Sequence, residues 1–208
     1  MKALIYDIEI KKAIQSKNEE RLTGIDYCEG WHDHANMGIA CIGVYDYAED
    51  RYRMFMDDNM DDFFHLCDDR ELLVGFNNIA FDNAVINASA PMLTEASKFF
   101  DILVELWAAA GLGPQFKFPT HAGFGLDTLC KVNFGTAKSG HGALAPVDFQ
   151  KGRYGSLVDY CLNDVRLTKQ ALDEIMRSGQ LRDPRDPSKL LILSKPNIVP
   201  APAPAQPA

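Results

Sequence analysis

The sequence has no run of about 18 apolar residues, the length a helix needs to span a bilayer. Its opening, MKALIYDIEI, meets acids before a signal-type apolar core can form. A membrane segment is therefore not expected, and the cytoplasm is the expected location. Cysteine is sparse, odd in number and scattered: Cys28, Cys41, Cys67, Cys130 and Cys161 lie mostly inside apolar runs. That pattern argues against a disulfide framework and for reduced core residues. Positive charge is also short, with 21 Lys and Arg against 29 Asp and Glu and a formal net charge of -8, so the usual basic footprint of a phosphate-binding protein is missing. No internal repeat is visible. What is present is ordinary for a globular protein: 208 residues, 47% hydrophobic and 24% charged. One domain with a large core is expected over residues 1–194. Residues 195–208, ending in PAPAPAQPA, read as a disordered Pro/Ala-rich tail.

The acid excess need not exclude nucleic acid. Two divalent ions held by clustered carboxylates add four positive charges locally and reverse the potential where a phosphate would sit.

Along the chain, residues 2–8 read as a first strand and 11–36 as a long polar loop or insertion. Met37–Tyr47 and Arg51–Met56 read as a hairpin around an acidic turn. Asp58–Asp69 has helical spacing, Leu72–Phe76 is a short buried strand, and Ile79–Ala88 is a helix starting at that strand's end. Residues 99–103 fit a strand while 101–110 fit a helix. Then come a Gly/Pro/Phe loop (111–124), a short helix (126–132) and a glycine-containing loop (135–146). The longest helical pattern follows, from about Gly152 to Ser178, stopped by Gly179. Leu190–Leu193 reads as an edge strand. This order predicts an α/β fold, with a mixed central sheet and helices on both faces.

Strand side chains alternate, so Asp7 and Glu9 point the same way from an otherwise apolar strand. Two such carboxylates repel, and a divalent cation removes the conflict. Alone, the pair also fits a strand ending at Tyr6 with acids opening a solvated loop. Further along, Asp82 falls in the first turn of a helix after a strand end, where site residues are common. Tyr160 and Asp164 stand four apart on an otherwise apolar helix face and share one patch. Cys28, His32, His34 and Cys41 match no common zinc spacing; a polar loop near the substrate is the better reading of their segment.

Three segments in order, Tyr6-Asp7-Ile8-Glu9, Gly75-Phe76-Asn77-Asn78-Ile79-Ala80-Phe81-Asp82 and Tyr160-Cys161-Leu162-Asn163-Asp164-Val165, resemble the motifs of the DEDD exonuclease superfamily, whose fold is RNase H-like. Asp159 stands where the histidine branch would carry His, so the resemblance is to the tyrosine (DEDDy) branch. Within it the chain is similar to the proofreading exonuclease domain of family B DNA polymerases, through Met37-Gly38-Ile39 to Tyr45-Asp46, Lys138 to Gly142 and Tyr160 to Thr168. The likeness spans roughly residues 3 to 170, leaving 11–36 and the tail outside it.

The resemblance implies a three-layer RNase H-like fold and a 3'-5' exonuclease acting on the free 3' end of single-stranded nucleic acid, with DNA favoured over RNA. It implies two Mg²⁺ or Mn²⁺ ions, hard cations suited to carboxylate oxygens, about 4 Å apart so as to serve both ends of an in-line displacement. Asp7 would bridge both ions, Glu9 and Asp164 would complete the first, Asp82 would hold the second, and Tyr160 would orient the attacking water. Asn77 and Phe81 are candidates for the terminal nucleotide, and Lys138 and His141 for a phosphate or the site; core packing is the first expectation for Phe76 and Phe81. Two other readings stay open: an exoribonuclease, and an inactive module that binds nucleic acid or a polymerase.

Overall fold

A computed structural model of the chain describes residues 1–15, 20–90, 93, 95–140 and 142–197. Its centre is strand β1 (Ala3–Ile10), extended two residues past the expected end, so that both acids lie within the strand. Strand β1 pairs antiparallel with β4 (Ile39–Asp46) and parallel with β6 (Leu72–Gly75). Strand β5 (Arg51–Phe55) flanks β4 and β7 (Phe99–Asp101) flanks β6, giving the order β5-β4-β1-β6-β7 with β4 alone antiparallel to the rest.

The alternation of β1 sorts the layers. Leu4, Tyr6, Ile8 and Ile10 pack with Phe63, Leu66 and Cys67 of α2 (Met60–Asp68) and with Val85 and Ile86 of α3 (Asp82–Ser89). Ala3 and Ile5 pack on the other face with α4 (Ile102–Ala109), α5 (Leu126–Phe134) and α7 (Tyr154–Ser178). Each Leu or Ile that α7 buries there stabilises the fold by roughly 1.5–3 kcal/mol. The result is a three-layer α/β fold of RNase H-like form.

Helix α7 is 25 residues long and stops at Gly179, whose left-handed backbone (φ 71°) closes the last turn. Asp101 settles the strand-or-helix ambiguity around residue 101. It ends β7 and caps α4, its carboxylate accepting from the Leu103 and Val104 N–H groups.

Three expectations need correction. The 11–36 segment is not a plain loop. It contains a parallel ladder of β2 (Ala13–Ile14) and β3 (Tyr27–Cys28), and it runs into a short helix, α1 (His34–Met37), which takes Met37 out of the strand that begins at Ile39. The glycine loop ends early, because Ala145–Gln150 forms helix α6 with Pro146 in its first turn, where a missing N–H costs nothing. Lastly, Leu190–Ile192 does not edge the central sheet. It belongs to β9 (Asp186–Ile192), which forms a separate hairpin with β8 (Gln180–Asp183). Residues 198–208 of the expected tail, and His141, lie outside the described residues. Among the described residues, no helix is long and apolar enough to cross a membrane.

Candidate active site

At the carboxyl end of β1 one cavity of about 220 Å³ is lined by Asp7, Glu9, Asp82, Tyr160 and Asp164, and also by Asn77, Phe81 and Lys138. Three local devices bring these side chains together. Strand β1 presents Asp7 and Glu9 opposite Gly43 and Cys41 of β4. Gly43 is the place where α7 lies down on the sheet: a Cβ there would sit 2.9 Å from Cys161 Sγ and 3.2 Å from Val165 Cγ2. Without a side chain at 43, α7 comes close enough to set Tyr160 and Asp164 beside the strand acids.

The second device is the turn from β6 into α3. A Cβ on Gly75 would meet Asn78 Cβ at 2.4 Å, so only glycine permits the bend. Asn77 takes a left-handed backbone (φ 69°). The Asp101 carboxylate then pins the turn, accepting from the Asn77 N–H (2.8 Å) and the Ile79 N–H (3.2 Å). Asp82, first residue of α3, accepts the Ile8 N–H at 3.1 Å, beyond the point where β6 stops pairing with β1. Its carboxylate is thus fastened to the backbone between Asp7 and Glu9.

The third device is the loop after α5. Asp127 accepts the Lys138 N–H at 2.9 Å and holds the loop down. Lys138 Nζ then donates to Asp164 Oδ2 and, at 3.2 Å, to the Tyr160 hydroxyl. Glycines let the same loop lie on the tyrosine: Cβ atoms on Gly140 and Gly142 would come within 3.3 and 3.2 Å of the Tyr160 side chain.

Electrostatics mark the cavity as short of positive charge. Burial, then repulsion from Asp82 and Asp164, pushes the Asp7 carboxyl well above the usual carboxylate range. Burial and the neighbouring Asp7 do the same to Glu9. Burial raises Asp82 to about 7, although the N–H groups of Ile8 and of Asp82 itself pull the other way. Asp164 is raised by burial as well, against the opposing pull of Lys138. For Lys138, burial favours the neutral amine, but Asp164 and Asp7 outweigh it and hold the ammonium above the ordinary lysine range. Burial also keeps Tyr160 a neutral phenol.

A cation fits these residues. Asp164 Oδ1 is buried with no hydrogen-bond partner among the described residues, and the Lys138 ammonium against its other oxygen shows that the spot accepts positive charge. Ligand-type atoms of Asp7, Glu9 and Cys161 lie within 4.8 Å of one another. The Cys161 thiol is not the natural donor to a hard ion. Its hydrogen bond with Cys41, together with burial, raises its pKa, and it points at the Asp7 carbonyl at 3.4 Å. The carboxylates are the hard donors.

Asp82 and Asp164 stand outside that tight group, the first turned to the Ile8 N–H and the second to Lys138. The residues weighed for zinc do not gather. Cys28 Sγ lies against the Ala13 and Gly30 carbonyls, His34 packs edge-on to Phe81, and Cys41 is buried in β4. Phe76 packs on the core as well as lining the cavity.

Sequence reasoning missed Trp31 and Ile14, which bring the 11–36 segment into the cavity lining. It also missed the supports Gly43, Asp101 and Asp127. A glycine opposite Asp7 in an apolar strand was the one available signal for close helix approach.

No protein-family model matches the chain, and no curated protein matches it. In fold it is similar to the family B DNA polymerase from the hyperthermophilic archaeon Pyrobaculum calidifontis, with a TM-score of 0.56 and 15% sequence identity. The match covers 84% of this chain and 24% of the polymerase, so the chain spans about a quarter of that protein's length. At that identity the likeness is one of fold.

Proposed function

We propose that the protein is a metal-dependent 3'-5' exonuclease that removes nucleotides from single-stranded DNA ends. The observation that carries this reading is the convergence of four carboxylates and a neutral tyrosine on one cavity, from a strand and two helices. The fold shared with a family B DNA polymerase supports a nucleic-acid substrate.

Asp7, Glu9 and Asp164 would hold one divalent cation, with Asp7 shared and Asp82 serving a second. Such ions, when bound, supply an activated water and neutralise charge on the departing oxygen. The Tyr160 hydroxyl, neutral and braced by Lys138, aligns the attacking water by hydrogen bonding. Lys138 also offers its ammonium to a phosphate oxygen. Asn77 and Phe81 face the terminal nucleotide. Water adds to phosphorus, the P–O3' bond breaks, and the 3'-oxygen leaves with the electron pair and takes up a proton. The products are a nucleoside 5'-monophosphate and a strand one residue shorter.

The deciding assay incubates the protein with single-stranded DNA and RNA of one sequence, labelled at either end, with Mg²⁺, Mn²⁺ or EDTA, beside Asp7→Ala. Stepwise shortening from the 3' end that needs metal and Asp7 is the expected result. No cleavage with either metal sinks the nuclease reading, and shortening from the 5' end sinks its polarity. The DNA-to-RNA rate ratio decides the sugar.

A further inference from the structure

Between β1 and β4, residues 11–14 and 25–28 are tied together and to α6. Besides the β2–β3 ladder, the Gln150 side chain of α6 clamps them: Nε2 donates to the Lys11 and Asp26 carbonyls (2.9 and 3.0 Å), and Oε1 accepts the Asp26 N–H (2.7 Å). Ala13 and Ile25 pack on Val147 of the same helix. Three residues beyond the β2–β3 ladder stands Trp31. Its ring meets Phe81 edge-on with centroids 5.8 Å apart, lines the cavity that holds Asp7 and Glu9, and is 65% exposed.

An uncovered indole at a cavity rim is the reverse of core packing, and Trp107, the chain's other tryptophan, shows the contrast at 4% exposure. The cavity is lined by carboxylates and Lys138 and also by Ile10, Ile14, Trp31 and Phe81, of which Ile10, Ile14 and Phe81 share one apolar cluster and Trp31 meets Phe81. A nucleotide has both characters, phosphate at one end and a flat π-face at the other. Stacking on that face suits any base.

We propose that the described residues from 20 to 36 form a substrate arm and that Trp31 stacks on the 3'-terminal nucleobase of the strand being cut. The inference rests on the nuclease reading, and it makes Trp31 a substrate-binding residue and Gln150 a positioning residue that acts through it.

The test measures binding of a short oligothymidylate with a non-hydrolysable last linkage, in Mg²⁺, to the full chain and to Trp31→Ala, Trp31→Phe and Gln150→Ala. Each protein is also offered the same strand with an abasic 3'-terminal residue. Trp31→Ala should bind the intact strand roughly 5- to 100-fold more weakly, with Trp31→Phe in between. The abasic end should cost the parent protein a similar factor and cost Trp31→Ala little, a coupling that a merely structural role would not produce. Gln150→Ala should weaken binding in the parent and add nothing in the Trp31→Ala background. Quenching of indole emission by the strand should disappear in Trp31→Phe, since Trp107 is buried. An equal abasic penalty with and without Trp31 overturns the arm, and cleavage from the 3' end in the same preparation then leaves the nuclease reading standing. If the folded parent binds no strand at all, both fall.

Discussion

The two faces of β1 carry polar groups under opposite conditions. On one face Tyr6 is fully buried, yet its hydroxyl is answered on both sides, donating to Asn83 Oδ1 and accepting from Asn78 Nδ2 at 2.9 Å. On the other face Asp7 and Glu9 look into a cavity that also holds Asp82 and Asp164, where Lys138 and the N–H groups around Asp82 offset only part of the repulsion. Alternate residues of one strand therefore serve opposite ends. The face where the Tyr6 hydroxyl is paired serves the fold, and the face of crowded carboxylates suits a cation.

The sharpest way to break that contrast is to neutralise the carboxylate face. Asp7→Asn should lower the proposed nuclease activity by on the order of 10³-fold or more. In metal-free buffer the same change should raise Tm by a few degrees, since it removes repulsion. Activity falling together with stability, by rate assay and thermal melt, would show that Asp7 is a structural acid instead.

Gly43→Ala tests the approach of α7. Placing a Cβ 2.9 Å from Cys161 Sγ should cost about 1–3 kcal/mol in urea unfolding. A second change, Cys161→Ala, should recover part of that loss, and failure to recover would show that the sheet, not the helix, resists.

On the opposite face, Tyr6→Phe strands Asn78 and Asn83 and should cost about 1–3 kcal/mol by the same measurement. The remaining kcat should change less than in any carboxylate variant.

A last effect is in pH. Asp82 holds its proton up to about 7 in the folded chain but releases it near 3.8 when unfolded, so this stabilisation is complete below about pH 4 and lost as pH rises to about 7. The raised carboxyls of Asp7, Glu9 and Asp164 act in the same direction. Metal-free protein should melt lower at pH 7.5 than at pH 5, and the rise in Tm on adding Mn²⁺ should grow over that range, because the ion displaces those protons. Equal shifts at both pH values would place the ion away from these acids.

Much of this organisation was legible from residues alone, because it rests on periodicity. The alternation of Leu4 to Ile10 announced both the strand and the shared direction of Asp7 and Glu9, and the long apolar stripe from Leu157 to Ile175 announced α7 with Tyr160 and Asp164 on one patch. Elements without periodicity stayed hidden. The two-residue strands β2 and β3 are too short to show alternation. Helix α6 sits beside glycines that read as loop, and strand β8 has only four residues before the turn at 184–185. Trp31 is a lone aromatic in a polar stretch, where only tertiary placement gives it a role. Gly43 looks like any strand glycine until α7 is laid over it.

The Asp82 hydrogen bond to the Ile8 N–H has a mechanical consequence. Asp7, Glu9 and Asp82 are referenced to one piece of backbone, so their mutual spacing is a ruler ticked off by the strand. Asp164, Tyr160 and Lys138 belong to a second piece, α7 and its adjoining loop, which touches the first across Gly43. The site is thus assembled from two pieces that meet at Gly43. The spacing between the two groups is set by how closely α7 packs on the sheet, so substitutions at that contact should alter the site without touching Asp7, Glu9, Asp82, Tyr160 or Asp164.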